Sequence, residues 1–162
     1  MMILNRIGQA EKTIINKFQN GFPVKIGSLA SELGLVVKKA TLPGNISGSI
    51  KQENGLYVIR VNSHDVRARQ RFTIAHEIAH FLLHKHLIGD GIIDNALYRS
   101  SLPSQIEWEA NELAAQILMP SNHFLEAKKS HEADLKKEAL YEKLAEVFEV
   151  SVTAIKYRLD EL

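Results

Sequence analysis

The run His76-Glu77-Ile78-Ala79-His80 places two imidazoles four positions apart, with a carboxylate next to the first. On an α-helix residues i and i+4 share a face, so both rings can reach one ion. Zinc accepts neutral imidazole nitrogen at about 2.0–2.1 Å, and a hydrolytic zinc site keeps one coordination position open. Glu77 stands about a third of a turn from His76, where its carboxylate can take a proton from a water at that position. Ile74, Ala75, Ile78, Ala79, Leu82 and Leu83 surround the motif and predict a largely buried helix, in which imidazoles need polar partners. The pattern therefore suits metal-dependent hydrolysis, with His76 and His80 as ligands and Glu77 as the base.

A third protein ligand must be His, Asp or Glu, because the chain has no cysteine. His86 falls where the last histidine of an HExxHxxGxxH motif would stand, but Leu83 occupies the glycine position that would turn the chain back. His84 shares a face with His80, yet three ligands along one helix would spread over about 12 Å of axis. Both histidines read as supporting or surface residues. Glu107 is the favoured third ligand, in the helical stretch Glu107-Trp108-Glu109-Ala110-Asn111-Glu112-Leu113-Ala114-Ala115, with Glu109 the alternative. Asn111, one turn after Glu107, has the spacing to orient a ligand histidine, and the small Ala110 and Ala114 let two helices approach. Glu112 reads as a solvated helix charge. A His2Glu set also accepts manganese or iron. Tyr98, His123, His131 and Tyr141 flank the motifs, but none is assigned to stabilise an oxyanion.

The elements that must position these groups are legible from hydrophobic period and turn residues. Ala10, Ile14, Ile15 and Phe18 predict a helix over Gln9 to Phe18, broken by Gly21-Phe22-Pro23. A second runs from Ile26 to Leu33 and stops at Gly34. Leu35-Val36-Val37 reads as a short extended run. Ile46 to Lys51 and Leu56 to Val61 flank Asn54-Gly55, a hairpin turn signal. Asn62 or Ser63 is the expected cap of the motif helix, from about Asp65 to His84. Residues 87–105, with Gly89-Asp90-Gly91 and Pro103, read as a loop-rich excursion. A helix from about Ile106 to Met119 ends at Pro120, and two or three more helices fill the last quarter. The fold class is α+β, a small antiparallel-containing sheet packed on the motif helix, with C-terminal helices.

Two blocks carry a family resemblance. Arg71-Phe72-Thr73-Ile74-Ala75-His76-Glu77-Ile78-Ala79-His80-Phe81-Leu82-Leu83-His84, and Glu107-x-Glu109-Ala110-Asn111-x-x-Ala114-Ala115-x-x-Leu118-Met119-Pro120, resemble the ImmA/IrrE family of metallopeptidases over roughly Pro23 to Pro120. The resemblance implies a zincin-like domain with a gluzincin-like site: Zn2+ on His76, His80 and Glu107, with Glu77 as general base. It also implies an intracellular regulatory protease of bacteria or their mobile elements, which cleaves or inactivates a helix-turn-helix transcriptional repressor and so derepresses mobile-element or stress genes. Leu113 stands where the family commonly has an aromatic residue, a change of packing.

The domain expectation is a metallopeptidase body over 1–135 and a helical, helix-turn-helix-like segment over 136–162, packed on the first. In that segment Leu144, Ala145 and Phe148 precede a Ser151 cap and a second apolar set, Ala154, Ile155 and Leu159. Thr153, Lys156, Tyr157 and Arg158 are the candidates for DNA contact, disfavoured by the surrounding Glu146, Glu149, Asp160 and Glu161. The near-neutral net charge of +1 gives no general attraction to polyanions, although Arg67, Arg69 and Arg71 cluster. The absence of cysteine excludes a thiol nucleophile, a thiolate metal site and disulfides. Met1 to Arg6 lacks the apolar core of a signal peptide, and no apolar run approaches the ~20 residues of a membrane span, so a cytoplasmic location is expected. The competing functional class is a non-catalytic, metal-stabilised regulator that binds a repressor or DNA. Structural zinc is usually closed by four protein ligands; three are legible here, and Glu77 has no purpose in a closed site, so the enzyme is favoured.

Overall fold

The computed structural model describes residues 2–162. After a 3-10 turn at Met2–Arg6 come α1 (Gln9–Phe18), α2 (Ile26–Glu32), β1 (Val36–Ala40), β2 (Ile46–Glu53), β3 (Leu56–Asn62) and α3 (Arg67–Leu83). Then follow β4 (Ile92–Asn95), α4 (Ser104–Leu118), α5 (Ser121–Glu132), α6 (Lys137–Phe148) and α7 (Val152–Glu161). The α+β expectation holds. Gly34, at φ 87°, ends α2: its N–H donates to the Ser31 carbonyl, and that of Leu35 to Ala30, so the last carbonyls of the helix are satisfied. Asn54 and Gly55 both take positive φ, the geometry that lets a two-residue turn follow the twist of its strands.

The four strands lie in the order β1-β3-β2-β4. β1 runs parallel to β3, while β2 pairs antiparallel with both β3 and β4. The sheet is therefore mixed. The β2–β4 register shifts between Ile46 and Gly48, so Ser47 sits in a bulge. α3 packs on the sheet and against α4, and Ala75, Ala79, Ala110 and Ala114 are all fully buried.

Sheet and helix approach closely at Gly48. A Cβ there would stand 2.4 Å from Thr73 Cγ2 and 2.8 Å from the Arg60 carbonyl oxygen. The carbonyl belongs to the paired strand β3 and the methyl of Thr73 to α3, so the added methyl must strain the β2–β3 pairing and press on the helix. Gly48→Ala is expected to destabilise the protein by about 1–3 kcal/mol, read as a lowered denaturation midpoint; an unchanged midpoint would show the layers to be looser than this.

Two stretches differ from the sequence expectation. α3 begins at Arg67 with Val66 at the N-cap position and no side-chain cap. Asn62 instead ends β3, where its Nδ2 donates to the Ile46 carbonyl at 2.8 Å and its Oδ1 accepts from the His64 N–H. The stretch 87–105 is not all loop: it contains β4, too short for its alternation to stand out. Ser151 does cap α7, accepting from the Ala154 N–H at 3.0 Å.

Arg71, on α3, is buried and ties distant segments together. Its guanidinium donates to the Val24 carbonyl at 2.8 Å and the Glu149 carbonyl at 3.1 Å, and Nε lies 3.3 Å from the Glu149 carboxylate. Among the described residues, no helix is long and apolar enough to cross a membrane.

Candidate metal centre

α3 turns His76 and His80 inward, where both are fully buried. α4 delivers Glu107 from its first turn, where the helix dipole favours an anion. Glu107 Oε1 lies 3.0 Å from His76 Nε2 and 2.8 Å from His80 Nε2, so a single carboxylate oxygen sits between the two rings. β4 supplies a fourth group: Asp94 Oδ2 is 3.4 Å from His76 Nε2 and 3.6 Å from His80 Nε2. One ligand atom from each of the four residues falls within 4.8 Å of every other.

The outward faces of the two rings are braced. His76 Nδ1–H donates to Asn111 Oδ1 at 2.8 Å, which leaves Nε2 facing the cluster. His80 Nδ1 lies 3.0 Å from His84 Nδ1, and His84 Nε2–H donates to Glu109 Oε1 at 2.7 Å. Burial lowers the proton affinity of His84, against the pull of Glu109, so a neutral His84 with its proton on Nε2 can accept from His80. Arg6 pairs with Glu109 at 2.9 Å and closes this chain. Ser100 donates to Glu107 Oε2. The inward donor atoms of His76, His80 and Glu107 are thus fixed through their other ends.

The charge balance asks for a cation. Burial opposes a charged His76, but Asp94 and Glu107 outweigh it and raise its pKa to about 9. Burial would raise the Glu107 carboxyl as well, yet His76 and His80 hold it well below the usual range. Glu77 moves the other way: burial, then the charge of Asp94, push its carboxyl well above the usual range. Both oxygens of Glu77 and both of Asp94 are buried with no hydrogen-bond partner, a costly state for carboxylates. Ligands at ~2.0–2.2 Å around a tetrahedral ion stand roughly 3.3–3.6 Å apart; the Asp94 spacings of 3.4 and 3.6 Å match this and those of Glu107, 3.0 and 2.8 Å, are somewhat shorter. Two imidazoles and two carboxylates fit a divalent ion of the zinc type.

Beside the cluster opens a cleft of about 540 Å3 whose lining includes Val66, Phe72, Leu97, Tyr98, Trp108, Asn111 and Tyr157. Val66, Leu97, Trp108 and Tyr157 are exposed there. Tyr98, at φ 55°, lays its ring 4.9 Å from that of His76, and its hydroxyl is 3.0 Å from Thr73 Oγ1.

His76, His80, Glu107 and Asn111 are therefore brought together, and Glu77 lies beside Asp94 on the same wall. Glu109 is not at the cluster but behind His84. His86 is exposed; His123 packs on Phe22 at 5.0 Å, and Tyr141 lies under Lys156 at 5.7 Å. Of the residues considered for DNA contact, Arg158 is buried and donates to the Met119 carbonyl at 2.9 Å. Tyr157 donates to Glu112 at 3.2 Å, whereas Lys156 is 3.9 Å from Glu138 and Thr153 is exposed. Asp94 and Ser100 were missed by reading the motifs alone. For Asp94 a signal exists, since alternation from the buried Ile92 puts it in the inward phase.

The family model described as Peptidase_M78, IrrE N-terminal-like domain, matches residues 28–160. No curated protein matches the chain. Among solved structures, one titled "Mycobacterium tuberculosis transcriptional regulator" superposes with a TM-score of 0.61 at 18% identity, covering 96% of this chain and 48% of that one. The chain thus spans about half the length of that structure, and at this identity the likeness is one of fold.

Proposed function

From a chain that belongs to the IrrE N-terminal-like family of M78 peptidases, we propose a zinc-dependent peptidase that cleaves a helix-turn-helix transcriptional repressor. His76, His80 and Glu107 hold the ion, and Asn111 keeps His76 in the tautomer that presents Nε2. When bound, the ion supplies Lewis acidity toward a peptide carbonyl and toward water. Glu77 takes the proton of the attacking water. Its buried, partnerless carboxyl has a heightened proton affinity, as a proton acceptor needs. The apolar cleft beside His76 receives a side chain of the substrate and keeps bulk water away.

One observation carries this reading: a fully buried carboxylate with both oxygens free, placed next to a metal-fitting cluster. A purely structural site has no use for it. The body over 1–135 does the chemistry in this reading, and the helical pair over 136–162 packs on it. Repressor cleavage is tested by looking for a helix-turn-helix repressor in the neighbouring reading frame, incubating it with zinc-loaded protein and identifying fragments by mass spectrometry. Fragments that vanish with a chelator and return with zinc are expected. An intact repressor under conditions that inactivate it in cells would reject cleavage.

A second reading has an observation of its own. Asp94 is a fourth buried donor, and four protein ligands are the mark of a closed, structural ion. On that reading the protein is a non-catalytic regulator that grips its repressor.

A further inference from the structure

Asp94 and Glu77 pull the two readings apart, one suggesting a closed site and the other a working one. We propose that Asp94 is a displaceable fourth ligand, which closes the coordination sphere at rest and must leave before a substrate carbonyl can enter. This deepens the metallopeptidase reading and rests on it.

The position of Asp94 is built rather than incidental. Its cross-strand partner on β2 is Gly48, and cross-strand partners face the same side of a sheet. The side facing out from Gly48 is the one occupied by Thr73 and Glu77 of α3. Asp94 therefore points at the motif helix. The bulge at Ser47 sits beside this pair, where bulges re-aim a side chain. Fully buried, with no hydrogen bond to either oxygen and the two imidazole nitrogens at 3.4 and 3.6 Å, Asp94 has the cost of its burial offset most fully by a cation held among these groups. With Asp94 included, two neutral imidazoles and two carboxylates balance a divalent charge.

The strand carrying Asp94 is also the one best able to move. β4 has four residues, lies at the sheet edge and is held by β2 alone, across an interrupted ladder. Glu107 and the histidines, by contrast, sit on long helices and are braced from behind. Of the four donors, Asp94 can be given up without dismantling the site.

The test replaces zinc by Co2+, whose visible absorption reports coordination number, and titrates in acetohydroxamate as a small carbonyl-like ligand. The wild type is expected to take up one equivalent of Co2+ and to bind acetohydroxamate weakly. Asp94→Asn and Asp94→Ala should hold Co2+ about 10–100-fold more weakly. They should bind acetohydroxamate at least ~10-fold more tightly, the factor by which a site nine-tenths closed masks an incoming ligand. The Asn variant, of equal volume, carries the comparison if the Ala variant does not fold. Equal acetohydroxamate affinity in all the proteins would overturn the proposal. So would weaker Co2+ binding with no gain in acetohydroxamate affinity, the signature of a merely structural carboxylate. A wild type that binds no Co2+ would instead overturn the metallopeptidase reading itself.

Discussion

Glu77→Gln is expected to fold, to carry its full complement of metal and to cleave peptide about 10²–10⁴-fold more slowly than the wild type. The substitution changes little in volume, and Glu77 is not one of the four donors that cluster. What it removes is the ability to accept a proton. The wild-type carboxylate stands buried with no partner for either oxygen, so the metal-free variant should melt no lower than the wild type; a neutral amide is spared the desolvation of a charge. Metal content, melting temperature and the rate of fragment formation measure the three parts separately. A variant that cleaves at the wild-type rate would remove Glu77 from the chemistry, whatever its metal content.

Glu107→Ala is expected to weaken metal binding by at least ~100-fold, read by competition with a chelating dye. Its Oε1 is the shared partner of His76 Nε2 and His80 Nε2, so both rings lose their anchor at once, and the Ser100 hydroxyl loses its acceptor. The loss should also show without metal, and with a particular pH dependence. The folded pKa of His76, about 9, lies above the ordinary value of 6.5. Asp94 supplies part of that shift and stays in the variant; the stability owed to Glu107 is fully present below about pH 6.5 and fades as pH rises through about 9. Glu107 itself, held low, contributes above the usual carboxylate range, so both terms act together near pH 6. In chelator, the stability gap between wild type and Glu107→Ala should therefore be widest near pH 6 and narrow toward pH 9.5. A gap that does not vary with pH would mean that the imidazole–carboxylate attraction is not what Glu107 provides.

How far the sequence alone reached depends on where each contact is encoded. His76, Glu77 and His80 are near neighbours on one helix, so spacing is enough to put them on the same structure. Glu107 and Asn111 were also one turn apart, and their alanine-rich setting announced a helix that another helix could approach. Asp94 had no such local partner. It reaches the cluster only because β4 joins the sheet beside β2, a pairing between distant segments that a four-residue strand hardly signals. The bulge at Ser47 likewise depends on two strands meeting. Asn62 misled for a related reason: its side chain satisfies carbonyls of the 42–46 loop, a use that competes with helix capping and is decided only once the loop folds over it. His84 and Glu109 were legible as residues near the motif but not as a linked pair, because the link crosses from α3 to α4.

Arg71 ties the C-terminal helices to the helix that carries the candidate ligands. One guanidinium joins the helix bearing both imidazoles to the Phe22–Val24 turn and to the junction of α6 and α7. With Arg67, whose guanidinium also reaches the Glu149 carboxylate at 3.3 Å, it fixes that junction to the segment five residues upstream of the first imidazole. The two ends of the chain are thus pinned to one stretch of helix ahead of the cluster.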